Sequence, residues 1–379
     1  DVHFPPADSD MNVYNDASSP AHRRIVYDEF FFFQLGMALR KKGSLDQNGP
    51  LLQGRTSMMS DFHRILPFEL TSAQKRVIDE IERDVSSGRP MSRLLQGDVG
   101  SGKTVVAMSA LIMACANGYQ AAIMAPTEIL AAQHYSNIRH WCAELNLKVA
   151  ILTGGMGASV KKAVQEEIAR GRISIVVGTH ALIQQDTDFR NLGMAVIDEQ
   201  HRFGVVQRAA LREKGRNPHV LVMTATPIPR TLSMTLYGDL DASVLDEMPP
   251  GKLPVATKVF YERHRDRLYE IVRGVLDEGQ QVFIVYPLVE ESEALDLKDA
   301  TRMAGHLAKD VFPGYPIGLI HGKMKESEKS AVMSAFGKGD IRLLVATTVI
   351  EVGIDVPQAS LMVIEHAERF GLSQLHQLR

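Results

Sequence analysis

The sequence is poor in residues that cross-link or anchor a chain, with only two cysteines and one tryptophan among 379 residues. Cys115 and Cys142 cannot build the disulfide framework of a small secreted protein, so both are predicted to be buried free thiols. No run reaches the roughly 18 uninterrupted apolar residues that a membrane span needs. The densest apolar patch, 30–39, is interrupted by Gln34. The sequence therefore predicts no membrane partner, and its first residues show no signal-peptide pattern.

A strong excess of charge of one sign is also missing. Lysine and arginine number 42 and aspartate and glutamate 45, which leaves a net charge of -3. This balance excludes a strongly basic protein that coats nucleic acid, but it permits a local basic groove. The 45% hydrophobic and 23% charged residues are ordinary for globular proteins and exclude a largely disordered chain. The length indicates two or three domains.

Short apolar runs alternate with helical stretches from residue 61 onward, which predicts an α/β protein with parallel sheets. Pro249-Pro250-Gly251 separates two such series. We therefore predict a linker with a buried, largely apolar helix in residues 1–60, a first domain in 61–250 and a second in 251–379. The helix is expected over 21–42. The expected strands lie near 92–97, 121–126, 148–153, 174–179, 194–198, 219–224, 242–246, 255–260, 281–286, 316–321, 341–346 and 361–365.

The strongest motif is a glycine-rich loop of the form G-x-x-x-x-G-K-[ST], placed between a predicted strand and a predicted helix. Glycines let backbone N–H groups surround phosphate oxygens, and the positive end of the helix adds to that field. Lys103 is suited to reach the β- and γ-phosphates, and the Thr104 hydroxyl is suited to bind Mg²⁺. The predicted ATP-binding residues of this loop are Gly97, Asp98, Val99, Gly100, Ser101, Gly102, Lys103 and Thr104.

A second motif follows the apolar run 194–197, which ends in consecutive polar residues. Asp198 is suited to hold Mg²⁺ through water, and Glu199 to orient or deprotonate the attacking water. Gln200 and His201 could sense the γ-phosphate. With Lys103 these four form the predicted catalytic set. Each signal is weak alone, but their order after the phosphate-binding loop strengthens the interpretation.

A third motif places Thr224 and Thr226 at the end of another predicted strand, where their hydroxyls could couple the acidic pair to a moving domain. In this order the three motifs resemble motifs I, II and III of superfamily 2 helicases. Residues 68–74 are similar to the Q motif, which implies adenine contacts from Phe68 and Gln74. Residues 346–355 resemble motif V, which implies that Gly353 and Asp355 face the nucleotide.

The same resemblance implies a set of DNA contacts. Residues 125–128 are similar to motif Ia, 153–155 to motif Ib and 178–183 to a further DNA-facing motif. These segments and motif V offer small, hydroxyl-bearing or loop residues, which suit contacts to phosphates that position DNA without reading its sequence. The implied DNA-binding residues are Pro126, Thr127, Gly154, Thr179, His180 and Thr347.

The detailed sequence of residues 198–205 and 368–379 resembles that of the RecG-type ATP-dependent DNA helicases. Residues 3–39 resemble the segment that joins the wedge domain of that family to its motor. The resemblance implies two RecA-like parallel-sheet P-loop domains in tandem, the second incomplete at its C-terminus. It implies a double-stranded DNA translocase that uses ATP and Mg²⁺ to remodel stalled forks and Holliday junctions in recombination and repair. Branched double-stranded DNA and a single-stranded DNA-binding protein are the implied partners, in a monomer of the bacterial cytosol or nucleoid.

Motif VI of that family begins at Gln377 here, and its arginines fall beyond Arg379. The 379-residue chain is therefore expected to bind ATP but to turn it over poorly. Two alternatives stay open. One is the translocase module of a transcription-repair coupling factor, which shares the Arg-Phe-Gly stretch but more usually carries Asp-Glu-Glu-Gln as its acidic motif. The other is a clamp that binds ATP without hydrolysis, against which the intact Lys103 and Asp198 argue.

Overall fold

Two parallel β-sheets form the framework of the computed structural model, which describes residues 2–5, 7–45, 48–199, 205–226, 240–251, 255–287, 301–347, 356 and 358–378. The first sheet has seven strands in the order β3-β4-β2-β5-β6-β1-β7, and the second has four in the order β11-β8-β10-β9. The strands are β1 (Ser92–Gly97), β2 (Gln120–Met124), β3 (Val149–Leu152), β4 (Ile175–Gly178), β5 (Leu192–Ile197), β6 (His219–Thr224), β7 (Asp241–Leu245), β8 (Gln281–Tyr286), β9 (Ile317–Ile320), β10 (Leu343–Thr347) and β11 (Ala359–Ile364).

Helices connect the strands and cover both faces of the sheets, as parallel crossovers require. Several helices begin after a residue whose side chain accepts a hydrogen bond from a free N–H group of the first turn. Thr71 and Gln74 form a capping box at the start of α4, and Thr127 caps α6. The α-helices are α1 (Met11–Asn15), α2 (Pro20–Leu45), α3 (Ser57–Ile65), α4 (Ser72–Val85), α5 (Lys103–Ala116), α6 (Glu128–Glu144), α7 (Ala158–Ala169), α8 (Val205–Glu213), α9 (Arg265–Asp277), α10 (Glu326–Lys338) and α11 (Leu372–Leu378).

Helices cover both faces of the first sheet, and its central strands β2 and β5 are buried along their whole length, whereas the edge strands β3 and β7 are partly exposed. Helices α3 to α6 pack on one face, where Phe62, Leu111 and Trp141 share a core cluster. Helices α7 and α8 contribute Ile168 and Leu211 to the cluster on the other face. This two-sided burial explains why the strands read as continuous apolar runs rather than as alternating patterns.

The second sheet repeats the plan on a smaller scale. Val272 and Leu276 of α9 pack with Phe312 on one face, and Met333 and Phe336 of α10 pack on the other. The predicted fold, two parallel α/β units in tandem after an N-terminal helix, is confirmed.

Two details of the prediction are wrong. Residues 255–260 form no strand, and Val255 and Val259 are exposed; the described strands of the second sheet all come later in the chain. The helix expected over 21–42 exists as α2, but its predicted burial does not. The side chains of Phe30 to Phe33 are between 47% and 68% exposed. An apolar composition predicts that a surface favours a partner, but it does not say that the partner lies in the same chain.

The cysteine prediction is confirmed. Both thiols are free; Cys142 is buried and Cys115 partly so. Burial raises the pKa of each thiol to about 12, so both stay protonated and unreactive at neutral pH. Within the described part of the chain, no helix combines the length and the apolarity that crossing a bilayer demands.

Candidate functional site

The predicted motifs meet at the carboxyl edge of the first sheet. The glycine-rich loop follows β1, Asp198 follows β5, and Thr224 ends β6. Strand β6 pairs with both β1 and β5, so it lies between the phosphate-binding loop and the acidic pair. Parallel sheets bind ligands at this edge, in the crevice beyond the strand ends.

The geometry of the glycine-rich loop requires its glycines. Gly100 and Gly102 have positive φ values of 79° and 86°, which L side chains rarely adopt. A Cβ atom on Gly102 would lie 2.2 Å from Nε2 of Gln74, and one on Gly97 would lie 2.5 Å from Oγ of Ser101. The Lys103 ammonium donates to the carbonyl oxygens of Gly97 at 2.7 Å and of Asp98 at 2.9 Å. The loop therefore closes around its own lysine at the start of α5.

Gln74 stabilises this loop through hydrogen bonds of its side chain. Its buried side chain donates from Nε2 to the Ser101 carbonyl at 2.9 Å, and its Oε1 accepts the Thr71 N–H at 3.0 Å. Both ends of the amide that was predicted to contact adenine are thus engaged by the protein in this structure. Phe68 is 48% exposed and borders an open groove of about 440 Å³. The groove is lined by His63, Leu66, Pro67, Phe68, Glu69, Leu70 and Lys75.

The acidic pair lies almost fully buried beside this loop. Asp198 accepts a hydrogen bond at 2.7 Å between its Oδ2 and Nε2 of His134, and its Oδ1 accepts the N–H of Glu199 at 3.0 Å. Burial opposes ionisation of Asp198. The hydrogen bond and charge of His134, the charge of Lys103 and the Glu199 N–H outweigh it and lower the pKa of Asp198. Glu199 has a positive φ of 50°, a strained conformation that is frequent at functional sites.

The remaining predicted nucleotide and coupling residues divide into two groups. Thr224 is buried, and its Oγ1 accepts the Thr226 N–H at 3.1 Å. This places both coupling hydroxyl residues at the strand end between the phosphate-binding loop and the acidic pair. Four predicted residues lie outside the described ones: Gln200, His201, Gly353 and Asp355.

The predicted DNA contacts of the first domain lie at the other half of the same edge, where β2, β4 and β3 end. Pro126 and Thr127 follow β2, and the Thr127 hydroxyl accepts the Leu130 N–H at 3.4 Å as the cap of α6. Glu128 accepts the Gly155 N–H at 2.6 Å, which joins the segments after β2 and β3. The structure leaves Gly154 and His180 exposed and buries Thr179.

Thr347 and two interdomain contacts involve the second sheet. Thr347 ends β10 and is buried at the carboxyl edge of that sheet. His376 of α11 approaches the glycine-rich loop, with 3.2 Å between its Nε2 and Oδ1 of Asp98. Ile129 of α6 packs against the smaller core cluster of the second sheet. The glycine-rich loop and the helix that follows the predicted DNA-contact residues Pro126 and Thr127 therefore each contact elements of the second sheet's unit.

His134 is the site residue that the motifs do not reveal. It is separated from Asp198 by 64 positions, so no local pattern joins the two. The buried positions of α6 give a signal in retrospect. They recur at helical spacing as Leu130, Ala131, His134, Ile138, Trp141 and Cys142. A histidine on such a stripe requires a polar partner inside the protein.

Comparison with known proteins adds two family models and many relatives. The DEAD/DEAH box helicase model matches residues 71–235, and the helicase conserved C-terminal domain model matches 264–379. The chain is 48% identical over 379 residues to the ATP-dependent DNA helicase RecG of Synechocystis and 50% identical over 377 residues to that of Aquifex aeolicus. These alignments cover 100% and 99% of this chain but 45% and 47% of the relatives, so the chain spans about half their length.

A solved structure gives the same result in three dimensions. The structure of RecG bound to a three-way DNA junction matches with a TM-score of 0.79 at 46% identity. The match covers 94% of this chain and 47% of that one. Both sheets described above therefore have their counterpart in one relative.

Proposed function

We propose that this chain, which is 48% identical over 379 residues to a RecG ATP-dependent DNA helicase, forms the motor of an enzyme that hydrolyses ATP to move on double-stranded DNA and remodel branched DNA. Stalled forks and four-way junctions are the proposed substrates. The observation that carries the proposal is the single sheet edge, where phosphate-binding loop, acidic pair and DNA-facing segments follow neighbouring strands. A motor needs that proximity because hydrolysis must change the grip on DNA.

ATP would bind across the glycine-rich loop. Its phosphates would meet the loop N–H groups and replace the carbonyl oxygens that now hold the Lys103 ammonium. The exposed face of Phe68 would pack against adenine in the neighbouring groove, with the buried Gln74 amide beside it. From motif V of the second domain, Gly353 and Asp355 would face the nucleotide.

Thr104 and Asp198 fit a Mg²⁺ ion. Both offer oxygen ligands, and the lowered pKa of Asp198 keeps its carboxylate ionised. The described residues contain no group of three or more His, Cys, Asp or Glu side chains placed to hold a metal ion. Mg²⁺ bound to nucleotide needs only one or two protein oxygens because phosphates and water complete its shell. When bound, the ion would neutralise developing phosphate charge.

Glu199 would orient or deprotonate the attacking water, while Gln200 and His201 would respond to the γ-phosphate. Thr224 and Thr226 would pass the state of the nucleotide to the second domain, because Thr224 ends, and Thr226 follows, the strand between the loop and the acidic pair.

DNA would contact the opposite half of the edge through backbone N–H groups and hydroxyls. The first domain would use Pro126, Thr127, Gly154, Thr179 and His180, and Thr347 would add a contact from the second. Contacts of this kind hold phosphates and do not read bases. We propose accordingly that the motor binds DNA with little sequence preference. A monomer in the bacterial cytosol or nucleoid, able to meet a single-stranded DNA-binding protein at forks, completes the proposal.

The decisive experiment compares ATP turnover on a three-way fork with turnover on a linear duplex of equal length. It uses this chain completed with the flanking segments of a RecG relative, and the Lys103→Ala variant as blank. We expect strong preference for the fork and none of it in the blank. Equal turnover on both DNAs would instead indicate a general duplex translocase, as in the coupling factor. ATP binding without turnover on either DNA would indicate the clamp.

A further inference from the structure

We propose that His134 is a positioning residue that holds the Asp198 carboxylate in place for the metal ion of the nucleotide site. The inference rests on the proposed function, and it assigns a role to a residue outside all of the helicase-like motifs. Its basis is one short contact, 2.7 Å between Nε2 of His134 and Oδ2 of Asp198, in a part of the structure where both residues are buried.

The two oxygens of Asp198 have different partners. The backbone N–H of Glu199 binds Oδ1 from within the same strand end, and His134 binds Oδ2 from helix α6. A carboxylate with one such contact can rotate about its Cβ–Cγ bond, whereas two contacts from different elements fix the plane of the group. Fixing that plane holds the remaining lone pairs of both oxygens in one orientation at the end of β5, one strand away from β6 and two from the strand that precedes the phosphate-binding loop.

The burial of the pair makes the hydrogen bond consequential. A buried carboxylate is costly unless hydrogen bonds satisfy it, and the His134 contact is the strongest of the influences that offset the burial of Asp198. Residues that orient the ligands of a metal ion typically change metal affinity or activity 10- to 100-fold when they are replaced. His134 stands in that relation to Asp198.

Helix α6 ties this contact to the DNA half of the edge. Thr127 caps the helix, Glu128 in its first turn binds the Gly155 N–H, and His134 lies less than two turns further along. A rigid helix of this kind holds the DNA-facing segments and the Asp198 partner in one body. The position of His134 is therefore fixed by helix α6, which is held in place by contacts other than the one with Asp198.

The test measures how Mg²⁺ affects binding of a fluorescent ATP analogue to the 379-residue chain, so it needs no turnover. His134→Leu keeps the volume of the site and removes the N–H donor. We expect the Mg²⁺ concentration at half-effect to rise about 10-fold or more, while binding of the analogue in EDTA is unchanged. His134→Gln, whose amide Nε2 can take the place of the ring Nε2, should restore most of the loss.

His140→Leu is the matched control, because His140 lies on the same helix but is exposed. It should leave the Mg²⁺ midpoint unchanged. If His134→Leu does not fold, the comparison of His134→Gln with His134→Asn decides, since the shorter amide cannot span the same distance. The expected result is a normal midpoint for Gln and a raised midpoint for Asn.

Two outcomes oppose the inference in different ways. A His134→Leu variant with the wild-type Mg²⁺ midpoint, or a midpoint equally raised in His134→Gln, would overturn the positioning role and leave the proposed function standing. Wild-type binding that does not respond to Mg²⁺ would overturn the proposed metal site itself, and the role of His134 with it.

Discussion

The two ends of strand β6 show opposite uses of a buried polar group. At the amino end, His219 donates from Nε2 to the Pro50 carbonyl at 2.8 Å and accepts the Met91 N–H on Nδ1 at 2.9 Å. At the carboxyl end, Thr224 lies between the phosphate-binding loop and Asp198. The histidine joins the segment before the first domain to its sheet, whereas the carboxyl end gathers charged groups around a space for a ligand.

The difference extends to the neighbouring strand β1. Near its amino end, Arg93 binds Asp84 at 2.7 Å and Glu80 at 3.1 Å, and all three residues belong to the packed interior or its rim. At its other end, the Lys103 ammonium donates to carbonyl oxygens of the loop, which phosphate oxygens would replace. Substitutions at the amino edge should therefore change stability, and those at the carboxyl edge should change binding or turnover.

The largest expected effect is that of Lys103→Ala on turnover by the completed protein. Removing a charge that stabilises developing phosphate charge should lower ATP turnover by about 100-fold or more. The thermal midpoint should stay near that of the wild type, because the Lys103 ammonium donates to carbonyl oxygens of a loop and is not packed in the core. Lys162→Ala, at an exposed position of α7, is the control. A variant that unfolds at lower temperature but keeps its turnover would reverse the comparison between the edges.

Protonation of His219 should have an effect of similar size, but on the free energy of unfolding and not on ATP turnover. Burial lowers its pKa to about 4, against the small opposing influences of the Pro50 carbonyl and Asp84. The unfolded chain then binds a proton below pH 6.5 that the folded chain refuses until about pH 4. Stability should be complete above pH 6.5 and fall by about 3 kcal/mol between those two values.

Denaturant unfolding at a series of pH values measures this loss. The His219→Gln variant lacks the titrating ring, so the difference between the two pH profiles isolates its contribution from that of the carboxylates. ATP affinity at neutral pH should be the same in both proteins. Parallel profiles would show that the ring is not buried in its neutral form.

Much of this division could be predicted from the sequence. The run Leu94–Gln96 before Gly97 identified a strand and the loop beyond it, and the same held for the run that ends at Asp198, because strand and motif are adjacent in the chain. Neighbouring strands in a parallel sheet then bring distant motifs to one edge without any further information. The architecture follows from local patterns and from the rules of parallel sheets.

Contacts between distant residues could not be predicted in this way. Neither the pairing of His134 with Asp198 nor that of His219 with Pro50 leaves a local pattern, since each depends on which helix or strand lies alongside. The predicted burial of helix α2 was wrong for a related reason, as the exposed Phe32 shows. An apolar composition indicates that a surface favours an apolar neighbour, but it does not identify that neighbour. Gln74 shows a third case, in which one side chain serves both a helix cap and the loop.

A smaller effect is expected at the DNA half of the carboxyl edge. Glu128→Ala removes the acceptor that fixes the Gly155 N–H, and a hydrogen bond to a charged group is worth about 1.5–3 kcal/mol. Duplex affinity should fall by about 10-fold, with ATP affinity unchanged.

Loss of the negative charge would by itself strengthen binding to phosphates, so the sign of the change separates loop positioning from electrostatics. Fluorescence anisotropy with a labelled duplex gives the affinity, and Glu144→Ala, at an exposed position near the other end of α6, is the control. Tighter duplex binding by Glu128→Ala would contradict the positioning role.

The smallest effect concerns the contact between the two sheets. His376 and Asp98 lie 3.2 Å apart with side chains 31% and 57% exposed, and an exposed pair of this kind contributes at most about 1 kcal/mol. A double-mutant cycle on ATP affinity with His376→Leu and Asp98→Asn should give a coupling energy within that limit, and high salt should reduce it. A larger, salt-resistant coupling would mean that water is excluded between α11 and the loop, and that the carboxyl edge is buried by the second domain as firmly as the amino edge is by the first.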